Sequence, residues 1–141
     1  MSDGDSAMDE TKEPAGVDEK LYSRQLYVMG HEGQRQMAAS NVLICGLDGV
    51  GVEIAKNVIL AGVKSVTLLD DTPASWMDMG AQFYVREADL GQPRAAVSQP
   101  RLAELNPYVP VHLRSGVGPA ELVSAGGLAC VVLCGAPLAT Q

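Results

Sequence analysis

A short apolar run, a cluster of glycines and a helix-forming stretch follow one another in "NVLICGLDGVGVEI", residues 41–54. The run NVLIC has the length and composition of a buried strand. After the glycines, Val52, Ala55 and Ile59 recur near the helical period, and Gly62 stands where a helix-terminating glycine is expected. "VKSVTLLDD" has the pattern of a second buried strand. Two strands joined by a helix within about 30 residues predict a right-handed, parallel βαβ unit.

Further elements extend this unit on both sides. "VPVHLRS" (109–115) and "LACVVLCG" (128–135) predict a third and a fourth strand, and residues 94–106 predict a second crossover helix, kinked or interrupted at Pro100. Residues 21–40 predict two helical stretches separated at Gly30. We therefore expect an α/β fold with a Rossmann-like, doubly wound parallel sheet. Its four strands are fewer than the six or so of a complete Rossmann sheet, which makes it partial and leaves its last edge uncovered.

The charge of the chain is concentrated at its N-terminus. Residues 1–20 carry seven acids and two lysines, and therefore −5 of the net charge of −7. Because this stretch has no apolar period, we expect a disordered acidic tail at 1–20 and one domain at 21–141. The domain lacks the basic face that binds nucleic acid, and no run of 18 apolar residues is available to cross a membrane. A soluble, intracellular protein is expected.

The cysteines and histidines do not form a ligand set. Cys45, Cys130 and Cys134 contain no CxxC pair and lie in apolar runs, which predicts buried, reduced thiols. His31 and His112 have no partner at the spacing of a metal site or a catalytic triad. We therefore predict no metal site.

The glycine loop departs from the dinucleotide-binding fingerprint GxGxxG at its second glycine. Gly46 and Gly51 occupy the first and third positions, which serve the tight turn and the packing of helix on strand. Asp48 occupies the second position, where the backbone approaches a phosphate, and its carboxylate would repel that phosphate. Gly49 adds flexibility without removing the charge. The motif predicts a nucleotide-binding fold with a disabled nucleotide site.

Asp70 ends the second predicted strand, 24 residues after Gly46. An acid at this place binds the ribose of a dinucleotide in complete sites. The alternative is a solvated strand-end carboxylate, with or without a bond to a backbone amide. We favour the alternative because the adjacent phosphate site is disabled.

Four stretches resemble a known family: "LYSRQLYVMGHE", "GVEIAKNVILAGVKSVTLLD", "AQFYVREADLG" and "AVSQPRLAELNPYVPV". They are similar to the first, inactive adenylation half of eukaryotic ubiquitin-activating enzymes, which have two ThiF-like halves. The resemblance extends from Leu21 to about Leu138 and weakens after Ser115.

The resemblance implies a division of labour between the halves. The active half binds ATP and magnesium and adenylates the ubiquitin C-terminus, and a cysteine of a separate domain then forms the thioester. The stretch matching "MGAQFYV" carries an Asn and an Arg in the active half, where this chain has Gly80 and Ala81, and a phosphate-contacting lysine of the active half falls near Arg94. None of the three cysteines resembles the thioester cysteine. By this resemblance, the segment binds no cofactor itself, is inactive alone, and is cytoplasmic and nuclear.

The resemblance also implies partners and one catalytic side chain. The expected partners are the active half and, in the complete enzyme, ubiquitin. In similar proteins, the arginine matching Arg24 reaches from the inactive half to the ATP phosphates, whereas composition alone favours a surface arginine. Trp76, Met77 and Met79 are expected to pack in the core or to contact the second half.

Two other functions remain open. The βαβ unit and Asp70 are compatible with half of an NAD-dependent oxidoreductase, although Asp48 and the lack of a substrate domain oppose it. The chain could also be a non-catalytic interaction module that pairs with another ThiF-like chain.

Overall fold

A computed structural model describes residues 18–136 of the chain. Four strands form one parallel sheet in the order β3-β2-β1-β4: β1 (Asn41–Cys45), β2 (Ser65–Leu69), β3 (Val111–Arg114) and β4 (Cys130–Leu133). In the register, Val42 lies opposite Val66 of β2 and Cys130 of β4. The predicted parallel α/β, Rossmann-like sheet is confirmed.

Helices connect the strands: α1 (Ser23–Ala38), α2 (Gly49–Ala61), α3 (Trp76–Met79), α4 (Arg94–Ala103) and α5 (Pro119–Ser124), with a 3-10 turn at Glu87–Asp89. α1 is kinked at Gly30, whose φ of 71° is not helical, as the sequence predicts. Gly62 ends α2 in the left-handed conformation that glycine adopts easily. The short helices α3 and α5 are additions to the predicted set.

The core lies on both faces of the sheet. On one face, the side chains of Val42, Ile44 and Leu68 are buried beneath α2 and α4. On the other face, Leu43, Cys45 and Leu69 form a smaller cluster, against which Leu122 of α5 packs. Because successive strand residues point to opposite faces, β1 is buried on both of them.

Pro100 does not interrupt its helix, so the interruption expected there is wrong. α4 runs through Pro100 to Ala103, with Pro100 on its exposed side. The opposite side of α4 buries Ala95, Ser98 and Leu102 against the core. This packing outweighs the one hydrogen bond that a proline amide cannot donate.

The burial predictions fail at two places. Cys130 is exposed, because β4 is the edge strand of the described sheet, whereas Cys45 is buried and Cys134 half-buried. Trp76 and Met77 are 66% and 86% exposed, so α3 does not join the core. The other expectation, that the side chains of α3 contact the second half, stays a prediction.

Residues 1–17 and 137–141 lie outside the described range, and so does most of the tail predicted as disordered. Asp18, at its end, accepts hydrogen bonds from the amides of Lys20 and Leu21 and forms a turn. No helix within residues 18–136 has the length and hydropathy needed to cross a membrane.

Candidate functional site

The glycine loop lies at the carboxyl end of β1, between the carboxyl ends of β2 and β4. The amide of Gly46 donates to the carbonyl of Leu69, and the amide of Cys134 donates to the carbonyl of Cys45. A cavity opens beside the loop and is lined by residues that include Gly46, Asp70 and Arg94. Open α/β sheets bind ligands at this edge, where the strand order reverses.

Gly46 and Gly51 are both required by the backbone. Gly46 has a φ of 90°, and a Cβ there would lie 2.0 Å from the carbonyl oxygen of Cys134. A Cβ on Gly51 would lie 1.9 Å from the carbonyl oxygen of Gly46. The two glycines therefore permit the turn and the close approach of α2 to β1 that the fingerprint predicts.

The crossover segment after β2 covers the loop on one side. A Cβ on Gly49 would lie 2.9 Å from the carbonyl oxygen of Ala81. The backbone at Ala81 is therefore packed against the loop. This leaves little room beside Gly49.

Asp48 caps the N-terminus of α2. Its extended backbone precedes the helix, and its Oδ1 accepts a hydrogen bond of 2.8 Å from the amide of Gly51. Its Oδ2 lies 3.0 Å from the position that a Cβ on Gly135 would take. The carboxylate of Asp48 thus accepts a hydrogen bond from an amide at the N-terminus of α2, and in functional loops such amides bind phosphate.

Asp70 is buried and has hydrogen bonds to both oxygens. Oδ2 accepts from the amide of Leu47 at 2.7 Å and from Nε of Arg94 at 2.8 Å, and Oδ1 accepts from the amide of Thr72 at 3.0 Å. The strand-end carboxylate bonds to backbone amides, as the favoured interpretation allows, but it is buried and not solvated, so that part of the interpretation is wrong. Its place at the end of β2 holds it within reach of the loop.

Arg94 begins α4 and is held by two carboxylates. Besides Asp70, it donates from Nη1 to Oδ1 of Asp78 at 3.0 Å, and its side chain is 17% exposed. Burial alone would raise the pKa of Asp78, but hydrogen bonds from Ser75 and Arg94 outweigh this and lower it. The guanidinium of Arg94 is therefore paired with two carboxylates of the protein itself.

Gln82 is a buried link that sequence reasoning missed. Its Nε2 donates to the carbonyl of Leu47 at 3.1 Å and to Oγ of Ser98 at 2.8 Å, and its Oε1 accepts from the amides of Tyr84 and Val85. It joins the glycine loop, α4 and the 82–85 turn. The quoted stretch "AQFYV" contains it, but a lone glutamine does not indicate burial.

Arg24 is the second residue of α1, a helix that begins near the end of α2 opposite the loop. Tyr22, two residues before it, packs its ring against Gly62, and its hydroxyl accepts a hydrogen bond from Asn106. Asn106 also donates to the carbonyl of Ile59, which fixes this end of α2. The 13 residues of α2 span about 20 Å, so Tyr22, where α1 begins, and the glycine loop are at opposite ends of α2.

Arg24 shares an exposed face of α1 with two apolar side chains. Tyr27 and Val28, at i+3 and i+4, are 93% and 81% exposed. Within residues 18–136, the side chain of Arg24 makes no hydrogen bond or ion pair. The guanidinium and two large apolar groups are thus presented to solvent together.

The thiols near the loop are poorly suited to nucleophilic chemistry. Burial, with added effects of Asp70 and Cys134, raises the pKa of Cys45 to about 11. Burial and the charge of Asp48 raise the pKa of Cys134. Both thiols are therefore protonated at neutral pH. The described part of the chain contains no group of three or more His, Cys, Asp or Glu residues placed to hold a metal ion.

The chain has a Rossmann-like α/β domain of the nucleotide-binding type, as its sheet order, glycine loop and crossover helix show. The amides of Leu47 and Gly51 in its loop donate to carboxylates of the same domain. Residues 22–125 match the ThiF family. The chain belongs to that family.

Similar proteins include ubiquitin-activating enzymes. The chain is 56% identical over 127 residues, 90% of its length, to ubiquitin-like modifier-activating enzyme 1 of Homo sapiens, of which it covers 12%. It is 62% identical over 95 residues, 67% of its length, to ubiquitin-activating enzyme E1 1 of Schizosaccharomyces pombe, of which it covers 9%. The chain thus corresponds to a small part of each relative.

Solved structures share the fold at low identity. The E. coli tRNA N6-threonylcarbamoyladenosine dehydratase TcdA, in complex with ATP, superposes with a TM-score of 0.74 at 19% identity, over 86% of this chain and 52% of TcdA. E. coli MccB superposes with a TM-score of 0.71 at 19% identity, over 88% of this chain and 40% of MccB. These similarities show the adenylation-enzyme fold.

Proposed function

We propose that this chain acts as the inactive adenylation half of a ubiquitin-activating enzyme. In this role it scaffolds an active half, which binds ATP and magnesium and adenylates the C-terminus of ubiquitin. The segment contributes Arg24 to that ATP and binds no nucleotide of its own. The similarity to ubiquitin-activating enzymes supports ubiquitin as the substrate. A cytoplasmic and nuclear location of the complete enzyme is part of the same proposal.

The chemistry of the loop supports the absence of a nucleotide. Asp48 takes the amide of Gly51, and Asp70 takes that of Leu47. The cation nearest to them, Arg94, is already paired with Asp70 and Asp78. Three carboxylates thus face one guanidinium, and a phosphate entering here would add negative charge that the site has no cation to neutralise.

The placement of Arg24 is the observation that carries the proposal. It lies two residues after Tyr22, whose ring contacts Gly62 at the C-terminal end of α2, and it shares an exposed face with Tyr27 and Val28. Exposed apolar side chains around an unpaired guanidinium suit a surface that another domain covers. A guanidinium presents a planar fork of donors to phosphate oxygens, and burial beneath that domain would strengthen the contact.

The same geometry disfavours an NAD-dependent oxidoreductase. A ribose-binding acid uses its acceptor sites for the ribose hydroxyls, whereas Asp70 already accepts three hydrogen bonds from the protein, two of them at Oδ2. A pyrophosphate would also have to displace Asp48 from Gly51. We therefore keep the adenylation half as the proposed function.

Single-turnover formation of ubiquitin adenylate, in a complete enzyme that carries this segment, tests the role of Arg24. Arg24→Ala should slow the step by about 10² to 10³, as loss of one preorganised charged donor does. Arg24→Lys should recover part of the rate, because an ammonium keeps the charge without the fork. Thioester formation from preformed adenylate should be unaffected.

Arg35→Ala is the matched control, because Arg35 is an exposed arginine of the same helix, paired with Glu32. It should leave adenylation unchanged. Ubiquitin binding is measured in parallel to exclude misfolding. If Arg24→Ala adenylates ubiquitin at the normal rate while the segment still binds the active half, the chain is an interaction module without a part in catalysis.

A further inference from the structure

Arg94 connects three segments that meet beside the glycine loop. Its Nε bonds to Asp70 at the end of β2, and its Nη1 bonds to Asp78 in α3. Arg94 itself is the first residue of α4. One guanidinium therefore joins a strand end, a crossover helix and the next helix.

Each carboxylate in turn holds backbone. Asp70 accepts the amide of Leu47 in the glycine loop, at 2.7 Å. Asp78 accepts the amide and the hydroxyl of Ser75 at the start of α3. The loop and α3 are thus tied to the same cation, each through one acid.

The three side chains are shielded from water. Asp70, Asp78 and Arg94 have side chains that are 4%, 13% and 17% exposed. A buried carboxylate without its counter-ion is strongly unfavourable, so loss of Arg94 would force Asp70 to move toward solvent. This movement weakens its bond to the amide of Leu47.

We propose that Asp70, Arg94 and Asp78 form an ionic latch that holds the glycine loop in its present shape without a bound nucleotide. In this device the arginine supplies the positive charge that organises the loop, and the two acids take the place of an external anion. The latch is a property of this domain alone and does not depend on the role of Arg24.

Hydrogen exchange of individual amides in this chain tests the latch, with Arg94→Met as the main variant. We expect exchange at Leu47 to accelerate by at least about tenfold more than exchange at Leu68 in the core of β2. A merely structural ion pair would lower global stability and accelerate both amides equally. That equal acceleration would overturn the proposal.

Arg101→Met provides a matched control on the same helix. Arg101 also pairs with an aspartate, Asp89, and bonds to the carbonyl of Tyr84, but it has no link to the glycine loop. It should leave the exchange of Leu47 relative to Leu68 unchanged. An equal selective effect from Arg101→Met would also contradict the latch.

Two milder variants serve if Arg94→Met does not fold. Arg94→Lys keeps the charge but cannot donate to both acids in the same fork, so it should give a smaller selective effect at Leu47. Asp78→Asn should accelerate exchange at Ser75 and leave Leu47 less affected than Arg94→Lys does. The reverse order would contradict the latch, because Leu47 is connected to Arg94 through Asp70 and not through Asp78.

Discussion

The Asp48 carboxylate accepts a hydrogen bond from the amide of Gly51, three residues later, at 2.8 Å. This one contact begins α2 and also occupies an amide that a phosphate would use. A glycine at position 48 would have left the amide free for a ligand. With aspartate at this position of the fingerprint, the chain has a helix cap where a glycine would leave the amide available to a ligand.

Removal of the cap should destabilise the chain. Asp48→Ala is expected to lower the free energy of unfolding by about 1 kcal/mol, because the amide of Gly51 loses its partner. Asp48→Asn should retain most of that stability, since an amide oxygen also caps a helix. Urea unfolding measures both. Glu53→Ala is the control on the same helix, because the exposed ion pair of Glu53 with Lys56 contributes little to stability. Equal free energies of unfolding for Asp48→Ala and Glu53→Ala would show that the cap does not stabilise the chain.

The parts of the fold set by local pattern could be predicted from the sequence. The apolar run of β1, the helical period of α2 and the glycine at 62 are local signals, and the structure agrees with all three. Pro100 was misjudged because its effect depends on the packing of the opposite side of α4. Cys130 was misjudged because an apolar run does not show which strand forms the edge of a sheet.

The partners of the site residues could not be predicted in the same way. Asp70 and Arg94 are 24 residues apart in the chain, and the fold brings them together through the crossover. Gln82 reaches Leu47 across 35 residues. Such pairs depend on the tertiary path of the chain, whereas the strand and loop that carry them follow from periodicity.

Titration of the chain with ATP and with NAD should show no binding with a micromolar dissociation constant. The reason is that a phosphate would have to displace Asp48 from Gly51 and compete with Asp70 for Arg94. Isothermal calorimetry makes the measurement, with a nucleotide-binding ThiF protein as the positive control. Micromolar binding of either nucleotide would mean that the loop takes another path in solution.

Gln82→Ala should be among the most destabilising single substitutions in the domain. It leaves the carbonyl of Leu47, the hydroxyl of Ser98 and the amide of Tyr84 without these partners in a buried place, whereas the amide of Val85 keeps only its longer bond of 3.4 Å to the carbonyl of residue 82. We expect a loss of about 3 kcal/mol, from the cost of unsatisfied buried polar groups. Gln92→Ala, at an exposed glutamine, should change stability by less than about 0.5 kcal/mol. Similar unfolding curves for the two variants would contradict the role of Gln82.

The ion pair between Asp89 and Arg101 should make stability depend on pH on the acid side. A hydrogen bond from Arg101 lowers the pKa of Asp89 below its ordinary value of 3.8. The stabilisation is therefore present above about pH 4 and is lost as the pH falls through the lowered pKa. The difference in unfolding free energy between the parent and Arg101→Met should shrink between about pH 5 and pH 2. For Arg114→Met, at an exposed arginine, the difference in unfolding free energy from the parent should stay constant with pH. If the difference for Arg101→Met also stays constant, titration of Asp89 is not its cause.

The three thiols should react at very different rates in the folded chain. Burial raises the pKa of Cys45 from 9.0 to about 11, so its thiolate fraction near pH 8 is about 100-fold lower than that of an unshifted thiol. Cys130 is exposed on β4, and Cys134 is half-buried with a raised pKa. Alkylation by iodoacetamide, followed by peptide mass mapping, should therefore label Cys130 first and Cys45 last, at least about 100-fold more slowly. Cys130→Ser should remove the fast phase, and denaturant should make the remaining thiols react alike. Labelling of Cys45 together with Cys130 in the native chain would show that the end of β1 opens readily, which would also contradict a glycine loop held in one shape.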